Sequence, residues 1–301
     1  LFLSTLKAYF LGKKELFRGL AVENLEKEWV EYPVLHLDLN TANYIDRNAL
    51  VNRLSSTLNQ WEDKYGSDAR DINLGTRFEG IIRRAYEKTG RRVVILVDEY
   101  DKPMLHAIGN EELQNEYRSM LKGFYGVLKS MDSYIRFAFL TGVTKFSKVS
   151  IFSDLNNLND ISLGDDYSSI CGISEEELHR VFQLHVERLA EYQKMTVDEV
   201  YAELKKRYDG YHFSKNSCGM YNPFSVRNAL YKRDFGSYWF ETGTPTFLVK
   251  LLKECDYNLE RMANEEVDAD TLNAIDSMSN NPIPVIFQSG YLTIKSFDSE
   301  F

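Results

Sequence analysis

VVILVDEYDKPM, residues 93–104, is the stretch on which the fold turns. Five branched apolar residues in succession suit a strand buried on both faces of a parallel sheet, and the run stops at two carboxylates, Asp98 and Glu99. In open α/β sheets ligands collect just beyond the carboxyl ends of the strands, so both side chains are expected where a ligand can reach them. Chemically the stretch has the form of a Walker B element. Asp98 would hold the Mg2+ of a bound nucleotide through its water shell, and Glu99 would orient and deprotonate an attacking water. A core strand with an acidic exposed end carries the same pattern, and the neighbouring segments have to separate the two.

Outward from this strand, strand and helix signals alternate. YPVLHLDLN predicts a second buried strand over 34–39, ending in Asp38 and Asn40. Over 43–65, Leu50, Leu54, Leu58 and Trp61 recur at helical spacing, and over 76–88 Phe78, Ile81, Ile82 and Ala85 repeat the pattern before Gly90 stops it. Residues 111–131 predict a long amphipathic helix carrying Leu113, Tyr117, Leu121 and Phe124. A third strand follows over 135–140 and ends in Thr141 and Thr144, with Lys145 beyond. Beside a Walker B strand such a tip is where a γ-phosphate is sensed. Thr141 could do so by hydrogen bond and Lys145 as a point charge; a loop-satisfying threonine and a solvated lysine are the alternatives. A short further strand is expected at 160–163. The alternation predicts a doubly wound parallel sheet.

The character changes near Gly172. Ser174 and Glu177 form a capping box that opens a helix bearing Leu178, Val181, Phe182, Leu184 and Leu189. A second helix is predicted over 197–208, YHFSKNSCGMY reads as a hairpin, and Asn222-Pro223 and Thr244-Pro245 each have the form of a helix start. PIPVIFQSGYLTI reads as another hairpin around Ser289 and Gly290. The expected organisation is an α/β domain over 1–170 and a mostly helical, winged-helix-like domain over 171–301.

The 301 residues are 44% hydrophobic and 27% charged, with a formal charge of -9, so any nucleic-acid contact must come from a local patch. Lys205, Lys206 and Arg207, or Arg83 and Arg84, could supply one, although such clusters are commonly solvated helix faces. Cys171, Cys218 and Cys255 are far apart and show no metal-ligand spacing, which fits a reducing, cytoplasmic setting. No run approaches the roughly 20 apolar residues of a membrane span. The opening LFLSTLKAYFLGKK, with Leu1, Leu3, Leu6, Tyr9 and Phe10 on one face, predicts an amphipathic helix rather than a signal peptide.

Taken together, VVILVDEYDKPM, FLTGVTKFSKVSIFSDLNNL, DISL, GISEEEL, YDGYHF, YNPFSV, YWFETGTPTFL and PVIFQSGYLTIK resemble, in order and over nearly the whole chain, the AAA-ATPase-like family of bacterial and archaeal P-loop proteins. The resemblance implies a P-loop NTPase-type sheet flanked by helices, ATP and Mg2+ as ligands, Asp98 on the metal and Glu99 as the base. It marks Asp101, in DEYDKP, as a further acidic residue near the metal, with a cap for the loop ending at Pro103 as the alternative. Family members carry a phosphate-binding loop ahead of the equivalent of LFLSTLKAYF, and often a restriction-endonuclease-like nuclease domain beyond the equivalent of Lys295. Neither is in this sequence, so the sequence is expected to be the middle of a longer protein. Three functions follow as expectations. The first is an ATPase acting as a switch on an attached or partner effector. The second is a nonenzymatic protein- or nucleic-acid-binding module on a degenerate ATPase scaffold. The third is a metal-dependent nuclease using Asp98, Glu99 and Asp101 directly.

Overall fold

The structure, a computed structural model, describes residues 2–144, 151–152, 155, 157–238, 246–255, 257, 262, 265–268, 271–272 and 281–297. The chain forms two compact units, one made of Leu1–Leu158 and Lys250–Ser289, the other of Asn159–Val249 and Gly290–Phe301.

The first unit is α/β. Among the described residues, strands β1 (Val34–Asp38), β2 (Val93–Asp98) and β3 (Ile135–Leu140) form a parallel sheet in the order β1-β2-β3. Central β2 is the branched run, and all five of its apolar residues are buried. Helix α1 (Phe2–Phe10) lies on one face of the sheet, where its Leu3 and Phe10 pack with Val94 and Leu96 and against Val34, Phe137 and Phe139. The alternate residues Leu35, Leu37, Ile95 and Val97 point to the other face and are buried there. A short helix, α2 (Ala21–Leu25), follows α1.

Helices α3 (Arg47–Tyr65) and α4 (Leu74–Thr89) connect β1 to β2. Asp46 caps α3 by accepting from the amides of Asn48 and Ala49, so that helix starts four residues later than its apolar pattern. Asn73 and Thr76 form a reciprocal capping box on α4, and Gly90 ends it in the left-handed conformation with φ 64°. Helices α5 (Lys102–His106) and α6 (Glu111–Ser130) connect β2 to β3. α4 packs against β2 and α6, and Phe78 stacks on Phe124 with ring centroids 4.6 Å apart.

The second unit is mostly helical, built on α7 (Glu175–Gln193), α8 (Val197–Tyr208) and α9 (Pro223–Lys232). Its core gathers Leu178, Val186, Leu189, Val200, Leu204 and Val226. Val181 and Leu184 of α7 are instead 58% and 56% exposed. Two isolated antiparallel bridges, Tyr211 with Met220 and Ile173 with Tyr221, tie its loops together. Helix α10 spans Thr246–Cys255, so the division between Val249 and Lys250 falls within it; the expected Thr244-Pro245 start lies outside the described residues.

Two expectations are corrected. Residues 160–163 form a turn, not a strand: the Ser162 amide and hydroxyl both donate to Asp160 Oδ1, and this local bonding replaces a ladder. The segment before Gly290 is a helix, α11 (Ile283–Gln288), not half of a hairpin. Pro284 has no amide to give a ladder but suits a first helical turn, and Asn281 Oδ1 accepts from the Ile283 amide at 3.0 Å.

Candidate functional site

β1 and β2 both end in aspartate, and the register sets Asp38 directly beside Asp98. Because side chains alternate along a strand, both carboxylates project from the sheet face that carries α1. The pair is held from both sides. Asp38 Oδ1 accepts from the Asn40 amide at 2.7 Å, and Arg53 of α3 donates through Nε and Nη2 to the Asp38 carbonyl. The Leu39 amide donates to the Asp98 carbonyl, so β1 continues to pair with β2 past the last strand residue.

Glu99 follows with φ 56°, a left-handed backbone that a residue with a β-carbon rarely adopts. The strand has therefore ended before Glu99, and the rule that sends adjacent strand residues to opposite faces does not govern Asp98 and Glu99. Its side chain is half-buried, and Oε2 is a buried atom with no hydrogen-bond partner among the described residues. Burial pushes its pKa above the usual glutamate range, the charge of Asp101 adds to the shift, and Lys102 opposes it.

Tyr100 and Asp101 then turn toward the loop that leaves β3. The Tyr100 amide donates to the Thr141 carbonyl at 3.0 Å, and the Tyr100 hydroxyl to the Thr144 carbonyl at 2.8 Å. Asp101 is 0% exposed. Its Oδ1 accepts from the Val143 amide at 3.1 Å, and its Oδ2 accepts from the Thr144 amide at 2.6 Å and the Thr144 hydroxyl at 2.8 Å. Burial raises the Asp101 pKa and these donors pull it back down. The Thr141 amide donates to the Val97 carbonyl at 2.9 Å. Thr141 is thus bonded to residues on both sides of the Asp98-Glu99 pair.

The structure accordingly gathers Asp98, Glu99 and Thr141 at the carboxyl end of the sheet. It places Asp101 behind them with its oxygens engaged. Lys145 lies outside the described residues. Among the described residues no group of three or more His, Cys, Asp or Glu is arranged to hold a metal ion by itself. Sequence reasoning noted Asp38 only as a strand end and Thr144 only as part of a polar strand tip, and missed Tyr100 and Gly142; the two strand-terminal aspartates were the one signal that pointed to the Asp38-Asp98 pair.

The basic clusters are mostly engaged inside the chain. Arg83 pairs with Glu79, Arg84 with Asp71, Lys205 with Glu175 and Arg207 with Glu203. No described helix is long and apolar enough to cross a membrane.

Residues 1–152 match the model of a family described as "Predicted AAA-ATPase". A protein of Azotobacter chroococcum mcd 1, described as "Uncharacterized protein in vnfD 5'region", is 38% identical over 294 residues, which cover 98% of this chain and 55% of the relative. The chain therefore spans about half the length of that relative. No solved structure matches.

Proposed function

We propose, because the chain belongs to the predicted AAA-ATPase family, that it carries the acidic half of an ATP-hydrolysing site and works as an ATP-driven switch on an attached or partner effector. Asp98 holds the water shell of the nucleotide's Mg2+, with Asp38 beside it, and Glu99 takes the proton of the attacking water. Thr141 hydrogen-bonds the γ-phosphate, and a charge to meet the phosphates is proposed for Lys145, which lies outside the described residues. The donor set at this end of the sheet is carboxylate and hydroxyl oxygen, which suits Mg2+, an ion that keeps several waters and takes one or two protein carboxylates together with phosphate oxygens. Bound there, the ion would neutralise charge developing on the phosphates. A nuclease working directly through Asp98, Glu99 and Asp101 is less well supported, since the Asp101 oxygens are occupied in a closed interior.

The observation that carries this reading is Glu99: a carboxylate at the end of the central strand, with one buried oxygen unpartnered and its pKa raised toward the range in which a general base works. For the second unit the matching reading is a winged-helix-like module that responds to the nucleotide. Cys171, Cys218 and Cys255 lie far apart in sequence with no metal-ligand spacing, and on that pattern we place the protein in the cytoplasm.

The test is Mg-dependent ATP binding and turnover by the complete protein. Glu99→Gln is expected to lower turnover by about 10²- to 10⁴-fold with binding retained, and Asp98→Ala to weaken the Mg-dependent part of binding. Unchanged turnover in Glu99→Gln would overturn the assignment of the base, and unchanged binding in Asp98→Ala that of the metal ligand.

A further inference from the structure

We propose that Asp101 is a positioning residue: by gripping the loop of residues 141–144 it fixes Glu99 and Thr141 relative to each other, an inference that rests on the reading of Glu99 as the base. Three donors of that loop bond the Asp101 carboxylate: the Val143 amide, the Thr144 amide and the Thr144 hydroxyl. A carboxylate accepting three such bonds in a site closed to water holds its partners firmly, because no solvent can replace them. Tyr100 adds its two bonds to Thr141 and Thr144, and Thr141 returns one to Val97. Residues 97, 100 and 101 are therefore fixed to one loop, and Asp98 and Glu99 lie between the fixed points.

A left-handed glutamate persists only where the surroundings over-determine it, and these bonds supply that constraint. Gly142 supplies a second observation. A β-carbon there would stand 2.8 Å from Asp101 Cγ and 2.9 Å from Tyr100 Cε1, so the loop closes onto both side chains only with glycine at this position. The same links make the arrangement two-way. A displacement of Thr141 by a ligand is carried to Glu99, and one of Glu99 is carried back.

The test uses the complete protein and three substitutions, Asp101→Asn, Thr144→Val and Gly142→Ala. Asp101→Asn turns a nitrogen donor toward the loop's own donors. Thr144→Val removes one of the three donors at nearly constant shape, and serves if the first variant does not fold. Two readouts are taken: amide hydrogen exchange at residues 143–144, and kcat alongside Mg·ATP affinity. Exchange at 143–144 is expected to rise in all three variants, kcat to fall by roughly a hundredfold in Asp101→Asn, and affinity to stay as in the wild type. Thr144→Ser is expected to restore what Thr144→Val loses. In a Glu99→Gln background Asp101→Asn is expected to lower kcat by much less than it does in the wild type, because only the placing of Thr141 is left to lose. Unchanged exchange would show that Asp101 does not hold the loop, and raised exchange with unchanged kcat would show that it does not position the base; either overturns the inference. A wild type without turnover overturns the reading of Glu99 instead, and the exchange data still decide whether Asp101 grips the loop.

Discussion

Glu99 combines two costs, a left-handed backbone and a half-buried carboxylate, and neither serves packing. Glu99→Gly is therefore expected to be at least as stable as the wild type: relief of backbone strain of about 1 kcal/mol offsets glycine's chain entropy, which is of similar size. A drop of several degrees in its unfolding temperature would show that the conformation is not strained. The raised pKa gives a second expectation with a definite sign. The folded protein holds the Glu99 proton at pH values where the unfolded chain has lost it. The charge therefore costs stability as pH rises from the ordinary glutamate value of 4.5 through the raised folded value. Glu99→Gln removes that cost, so its advantage over the wild type in thermal unfolding should be largest at neutral pH and fade below pH 4.5. An advantage independent of pH would sink this account. The place of Asp98 and Glu99 at a strand end was legible because a strand end can be read locally. Asp101 was singled out from its motif, but its bonds were not legible, because its partners lie 42 and 43 residues further along the chain.

At the scale of elements, periodicity and capping chemistry located the strands and most helices, since both are set by neighbours a few residues apart. β3 falls on its expected residues, and the capping box at Ser174 and Glu177 opens α7 as its spacing requires. Patterning failed where short polar or proline chemistry competed with a brief apolar run. Ser162 folds back on Asp160, and Pro284 converts an apparent strand into the first turn of α11. Caps make a direct test. Asn73→Ala removes the oxygen that accepts from the Thr76 amide, and should cost about 1 kcal/mol, seen as a lower urea midpoint with an unchanged slope. An unchanged midpoint would mean that α4 is held by packing alone.

At the scale of the whole molecule, which unit a segment joins is a long-range property with no local signature. Residues 250–289 belong to the first unit although 91 residues of the second, Asn159–Val249, come before them. Phe287, in α11 of that segment, is 5% exposed. Phe287→Ala should cost about 3–5 kcal/mol and speed hydrogen exchange in the first unit while leaving α7 and α8 unchanged. Faster exchange confined to the second unit would contradict the division. The same interleaving has a consequence for biosynthesis. The three strands among the described residues have left the ribosome once Leu140 emerges, yet the unit they belong to lacks its last segment until Ser289. At about 5–20 residues per second that interval, roughly 150 residues, lasts some 7–30 s. Throughout it, the described strands wait with part of their unit unmade, so apolar surface that the last segment covers stays open for that interval.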